Sequence, residues 1–252
     1  RLDQSGDYTV EVTVVDESGN KDTATAGLNV ADESELAATI DADDEQRLQD
    51  GLNASVSIEN IGTTDAIGGF NWTLTATGTP FDTQTEESLT IKGQNTSDVA
   101  PSDDPIVIDD LDDKLTTWAQ DNRTVGDVDF EFNITPSNEG VLTSNDSTTV
   151  DVTYSNLEAN AVSQNIVQGV DVSLRSFIEN NGTATSDNST ATVTVENTDT
   201  STEEFNQTVD VSELDASQTQ RNRFAQSFSD AGNYSLTVDA EDALFAEGNS
   251  DS

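Results

Sequence analysis

Apolar and polar residues alternate along most of this chain. Tyr8-Thr-Val10-Glu-Val12-Thr-Val14 has a period of two, and so do Ala54-Ser-Val56-Ser-Ile58, Val128-Asp-Phe130-Glu-Phe132-Asn-Ile134, Val170-Asp-Val172-Ser-Leu174, Ala191-Thr-Val193-Thr-Val195 and Tyr234-Ser-Leu236-Thr-Val238. β-Branched and aromatic residues on one side of such a run predict strands with one face on a core and one in water. Clusters of Gly, Asn, Asp and Ser separate the runs, as turns require. One segment breaks the period: between Asp109 and Asp121, Leu111, Leu115 and Trp118 fall on a single helical face, which predicts a short cross-connection packed over a sheet.

The strand pattern repeats. Ile58-Glu-Asn-Ile-Gly-Thr63 returns as Ile178-Glu-Asn-Asn-Gly-Thr183, Val107-Ile-Asp-Asp-Leu-Asp112 as Asp210-Val-Ser-Glu-Leu-Asp215, and Gly126-Asp-Val-Asp-Phe-Glu-Phe132 as Gly232-Asn-Tyr-Ser-Leu-Thr-Val238. The same order twice implies two copies of one module. A further copy of the last block, Gly6-Asp-Tyr-Thr-Val-Glu-Val12, opens the chain. Modules of about 90 to 120 residues with around seven short strands have the size of an immunoglobulin-like sandwich. Asp230-Ala-Gly232-Asn-Tyr234 reads as a tyrosine corner, and Gly6-Asp-Tyr8 as a second, whereas Val128 cannot make that bond. The expected fold is therefore all-β, tandem immunoglobulin-like β-sandwiches, one partial and two complete. Residues 1–31 are the C-terminal strands of the partial sandwich, 32–154 a sandwich with a short helical insertion near 109–121, and 155–252 a second complete sandwich. A strand pair is marginal alone, so upstream strands are expected to complete the first unit.

Gly6-Asp-Tyr-Thr-Val-Glu-Val-Thr-Val-Val-Asp16, followed by Ser18-Gly-Asn-Lys-Asp-Thr-Ala-Thr-Ala26, resembles the end of a PKD domain. The modules with Glu-Asn-x-Gly-Thr, the second with Leu214-Asp-Ala-Ser217 and Asp230-Ala-Gly-Asn-Tyr-Ser-Leu-Thr-Val-Asp239, resemble the CARDB-like domains of haloarchaeal cell-surface proteins. That resemblance implies a surface setting and carries over no catalytic residue.

Charge sharpens the setting. Among 252 residues, 50 are acidic and 9 basic, a formal net charge of −41. A small soluble domain ordinarily carries a net charge of magnitude about 2 to 8, so self-repulsion calls for a screening solvent. Multimolar salt supplies one, shortening the Debye length from about 8 Å to about 3 Å at 1 M; the composition is that of an extreme halophile's protein. The same charge repels nucleic acid and anionic lipid. No apolar run approaches the roughly 20 residues that span a bilayer. Arg1 is not an initiator and no export signal opens these residues, so any signal or anchor is expected outside them. Cys and His are absent, which removes disulfides, thiolate metal sites and the commonest general base. Paired carboxylates serve glycoside hydrolysis, but in so acidic a chain their proximity has no diagnostic value, and the protein is not expected to be an enzyme.

Asn-x-Ser/Thr sequons occur at Asn53, Asn71, Asn95, Asn122, Asn133, Asn145, Asn181, Asn188, Asn206 and Asn233. Composition alone would give roughly five, so N-glycans are expected on several, with Asn122, Asn145, Asn181 and Asn188 favoured because they fall in predicted loops. Asp103, Asp104, Asp109, Asp110, Asp112 and Asp113 crowd one loop and helix start, while Asp41, Asp43, Asp44 and Glu45 crowd a module junction. Ca²⁺ takes about six to eight oxygens, which the first cluster offers as a metal site without EF-hand spacing; the same residues also read as a solvated face at a helix N-terminus. No other cofactor is expected.

The expected role is a structural or adhesive segment of a secreted haloarchaeal surface glycoprotein: an S-layer-like coat, stalk or filament. Two alternatives stay open at this point: the spike or surface protein of a haloarchaeal virus, and a ligand-binding accessory module of a secreted enzyme or receptor, with Phe70, Trp72 and Trp118 as an aromatic platform. Expected partners are like subunits or neighbouring surface proteins and N-glycans, with no nucleic acid and no membrane contact within this segment. The location is extracellular, on the cell or virion surface.

Overall fold

The computed structural model describes residues 6–15, 17–30, 33–162, 167–241 and 250–251. β1 (Gly6–Val15) and β2 (Lys21–Val30) form an antiparallel hairpin with Tyr8 opposite Leu28, Val10 opposite Ala26 and Val12 opposite Ala24. Gly19, at φ +84°, supplies the left-handed residue of its turn. Among the described residues no other strand joins this pair. Its alternation has produced an apolar face that no described strand covers: Val10, Val12 and Val14 are 48%, 57% and 64% exposed.

The next unit contains β3 (Ser34–Asp41), β4 (Glu45–Arg47), a 3-10 turn at Leu48–Asp50, β5 (Ser55–Asn60), β6 (Phe70–Pro80), β7 (Glu87–Asn95), β8 (Ile106–Ile108), α1 (Asp112–Asn122), β9 (Thr124–Pro136), β10 (Val141–Ser144) and β11 (Asp146–Thr153). One sheet has the order β10-β3-β5-β8 and the other β4-β11-β9-β6-β7. The inward halves of their alternating runs, including Val56, Ile58, Leu74, Phe130, Phe132 and Val150, are sealed between them. Burying each such side chain contributes about 1.5–3 kcal/mol, so a lean apolar content suffices where the alternating runs turn it inward. The helix buries Leu115, Trp118 and Ala119. It begins at Asp112, later than the apolar spacing predicts, because Asp109 to Leu111 remain non-helical; it ends where Arg123 turns left-handed at φ +50°.

The last unit contains β12 (Leu157–Ala161), β13 (Val172–Asn180), β14 (Ser189–Asn197), β15 (Thr202–Val211), β16 (Thr219–Gln226), β17 (Tyr234–Ala240) and β18 (Ser250–Asp251). Its sheets run β12-β13-β16 and β15-β14-β17-β18 around a separate core that includes Leu157, Ile178, Val193, Val195 and Val238. The strand expected from Val170 starts at Val172 instead. Gly169 at φ +71° and a Val170-to-Val167 backbone bond turn the chain first.

The all-β, immunoglobulin-like sandwich architecture is thus plain in both complete units. β6 pairs with β7 and β9 as β14 pairs with β15 and β17. One repeated block does not recur in place. Val107 lies on β8 against β5, whereas Asp210 and Val211 end β15.

Candidate functional site

The Glu-Asn-x-Gly-Thr motif closes the end of β5 and of β13, where each unit receives its incoming chain. Asn60 is buried, and its amide donates to the carbonyls of Thr64 (2.8 Å) and Val99 (2.7 Å). Its Oδ1 accepts from the backbone N–H of Gly62 (3.0 Å) and Glu35 (3.3 Å). Asn180 repeats the set: it donates to Ala184 and Leu214, both at 2.8 Å, and accepts from Gly182 (2.9 Å) and Asn156 (3.0 Å). Both amides thus use their donors and acceptor fully, as burial demands.

The backbone of the motif then grips the entering segment. Thr63 N–H donates to Glu33 O (2.8 Å) and Thr183 N–H to Tyr154 O (2.7 Å). The Gly is required by the closeness of that approach. A Cβ at Gly182 would sit 2.2 Å from the Tyr154 carbonyl oxygen, and one at Gly62 2.5 Å from that of Glu33.

At the junction between the two complete units, side chains add a second grip. Arg47, at the end of β4, makes a bidentate pair with Asp187 of the following unit, Nη1–Oδ1 3.0 Å and Nη2–Oδ2 2.9 Å. Hydrogen bonding to that guanidinium holds the Asp187 carboxyl below the usual carboxylate range. Gln49, in the 3-10 turn, donates to Ser155 O (2.7 Å) and Oγ (2.9 Å) and accepts from Ser155 N–H (3.3 Å). Beside this junction, within the first complete unit, Phe81 packs edge-on against Tyr154, centroids 5.3 Å apart. An exposed ion pair contributes up to about 1 kcal/mol and each neutral hydrogen bond a similar net amount.

The ten sequons are scattered rather than gathered. Asn71, Asn133 and Asn206 lie on β6, β9 and β15, and Asn95 ends β7. Asn53 follows the 3-10 turn, Asn145 joins β10 to β11, Asn181 follows β13, and Asn188 and Asn233 precede β14 and β17. Asn122, expected in a loop, is instead the last residue of α1, and its amide donates to the Trp118 carbonyl at 2.8 Å. The amides of Asn133, Asn181, Asn206 and Asn233 donate to Glu131, Glu158, Glu203 and Asp199 respectively. Asn71 and Asn188 are exposed, with no side-chain hydrogen bond among the described residues.

The acidic clusters have structural duties. Asp103 accepts from Ala100 N–H (2.8 Å) within its own turn, and Asp112 from Ala54 N–H (3.2 Å). Asp104, Asp109, Asp110 and Asp113 are exposed. The fold brings Asp41 and Asp43 to the same open groove as Asp109 and Asp112. Among the described residues, however, no three or more acidic groups are arranged to hold a metal ion. Of the three aromatic residues, Phe70 and Trp118 are buried, and Trp72 stacks on Phe132 at 5.6 Å.

The role of Arg47 was not read from the sequence. The available signal was a single cation between Asp41 and Asp50 in an otherwise acidic stretch, but its partner lies 140 residues away.

Comparison with known proteins adds one assignment. Residues 152–251 match the CARDB family. They form a CARDB domain, a family with an immunoglobulin-like fold. Such a domain suggests a structural or accessory module. No curated protein matches the chain. Among solved structures, red sea bream transglutaminase is similar at 12% identity and TM-score 0.29, covering 83% of this chain and 29% of that one. Trypsin-activated alpha-2-macroglobulin from Escherichia coli is similar at 14% identity and TM-score 0.31, covering 99% of this chain and 19% of that one.

Proposed function

We propose that this chain is a structural or adhesive segment of a secreted haloarchaeal surface glycoprotein, a spacer in a coat, stalk or filament. The observation that carries this reading is the doubled grip at the junction. The Gly182–Thr183 turn gripping Tyr154, and Arg47 with Asp187, tie one sandwich to the next. A spacer needs modules with their own cores and a set angle between them; a flexible tether needs neither. The −41 charge supports the high-salt setting, and the CARDB domain supports a non-enzymatic module.

The test is access from outside the cell. Intact cells making the full-length protein are treated with external protease in multimolar NaCl, and the segment is followed with an antibody against the last unit. Cleavage without lysis is expected; complete protection until lysis would overturn the surface assignment.

A further inference from the structure

Beyond Arg123 this chain has three basic residues, and the fold gathers all of them. Arg175 on β13 stands directly opposite Arg223 on β16, and Phe177 opposite Arg221. All three arginines are exposed, on the face of the sheet turned away from the core. The Arg221 guanidinium lies over the Phe177 ring at 5.6 Å from its centroid. Together with Asn222 these residues line one recess of about 130 Å³.

Nothing among the described residues accounts for this arrangement. Among the described residues none of the three arginines forms an ion pair, although acidic groups outnumber basic ones 50 to 9. Like charges directly opposite across a ladder are destabilising. On the same face Glu158 stands opposite Glu179, so acids face acids at one end and arginines face arginines at the other. Exchanging one residue of each pair would give two favourable cross-strand pairs. The sheet instead keeps a concentrated cationic spot, with one guanidinium over an aromatic ring.

We propose that this recess is a docking site for carboxylates on the acidic surface of a second copy of the chain. The proposal rests on the structural reading above and names a contact by which such segments assemble. Charge complementarity selects the partner, since the rest of the chain is the polyanion that a cationic recess fits. A carboxylate seated between Arg175 and Arg223 turns their repulsion into two charge-assisted pairs, and the guanidinium fork takes it in a bidentate geometry that lysine cannot supply. The contact joins different patches on the two copies. It is therefore heterologous, and repeats into strings unless its rotation closes a ring.

Salt gives the contact a signature. At low ionic strength two chains of −41 repel over long range; added salt removes that term within a Debye length, while docked pairs, partly shielded from water, are screened much less. Self-association is expected to rise as NaCl increases from dilute to molar.

The experiment is sedimentation equilibrium of the 252-residue chain over a concentration series at several NaCl concentrations. Wild type is expected to show a weight-average mass that climbs with protein concentration. Arg175→Gln, Arg221→Gln and Arg223→Gln are each expected to weaken association roughly tenfold, and the triple variant to remain monomeric. Arg223→Lys, which keeps charge but loses the fork, falls between. Circular dichroism confirms the fold of each variant, and the single exposed substitutions stand in if the triple variant does not fold. Association that survives unchanged in the triple variant, or a wild type monomeric throughout, would overturn the proposal. Binding of polygalacturonate by a monomeric wild type, lost in the triple variant, would assign the recess to an anionic glycan and also overturn it. The structural reading falls separately, on the protease-access test.

Discussion

Asn180 donates its side-chain amide to the Leu214 carbonyl at 2.8 Å, at the point where the second Glu-Asn-x-Gly-Thr turn closes over its incoming chain. The same side chain makes three further bonds, and it is fully buried. Replacing it with Ala strands the Leu214, Ala184, Gly182 and Asn156 backbone groups out of water's easy reach. A destabilisation of about 2–4 kcal/mol is expected, since each buried group left unpaired costs about 1–3 kcal/mol before relaxation. Asn180→Asp should cost more, because a carboxylate would face two carbonyls. Denaturant titration at fixed high salt checks both, and a change below about 0.5 kcal/mol for either, the size of an ordinary surface substitution, would remove the clamp from the account.

Tyr234 sends its hydroxyl to the Asp230 carbonyl at 2.8 Å. The tyrosine corner read from the sequence is therefore present, with the ring against buried Phe228 at 4.9 Å between centroids. Tyr234→Phe keeps the ring contact and loses only the bond. It should lower stability by about 1 kcal/mol, whereas Tyr234→Ala should lower it by several times more. Equal losses for the two variants would contradict a hydroxyl role limited to the corner.

The Arg47–Asp187 pair makes the junction sensitive to acid. Asp187's carboxyl is held below its ordinary value by the Arg47 guanidinium. A group whose folded pKa is depressed contributes stability above its unfolded pKa, about 3.9 for Asp, and loses it as pH falls through the lower folded value. The inter-module geometry should stay constant from neutral pH down to about pH 4 and loosen below it. Asp187→Ala should lack this dependence on pH. Energy transfer between dyes on the two units follows the change; the same acid response in wild type and variant would show that other carboxylates control it.

Much of this fold was legible because alternation is a local signal. Val128, Phe130 and Phe132 announce β9 and its inward face directly, and Val193 and Val195 do the same for β14. The repeated Glu-Asn-x-Gly-Thr block was visible as a repeat, but its purpose was not. That purpose depends on Tyr154 and Glu33 passing close to the glycines, which is a tertiary fact. Arg47 and Asp187 meet only because two sandwiches abut, and Arg175 and Arg223 only because β13 pairs with β16 in one register. A sequence read in windows holds neither distance. Asn122 shows the opposite error. Its polar neighbours looked like a loop, yet Leu115, Trp118 and Ala119 carry the helix through to it.

Glycan occupancy should follow the environment of each Asn amide. Asn188 and Asn71 stand exposed with their amides uncommitted among the described residues, and Asn188 lies at the edge of the groove beside Arg47 and Asp187. Asn122 is half-buried with its amide on the Trp118 carbonyl. In protein from the native source Asn188 should be the more heavily modified. Glycopeptide mass spectrometry showing Asn122 occupied and Asn188 bare would contradict this ordering.

The central claim is that the two complete sandwiches are held in one fixed relation, and a chain without cysteine is well suited to measuring it. Thr90→Cys on β7 and Thr208→Cys on β15, both exposed, place one spin label on each unit. Pulsed dipolar spectroscopy at high salt should give a single narrow distance distribution. It should broaden when Arg47→Ala and Gln49→Ala are combined, while both units remain folded by circular dichroism. A broad distribution in the unmodified junction, or one that the double substitution leaves unchanged, would contradict the spacer account.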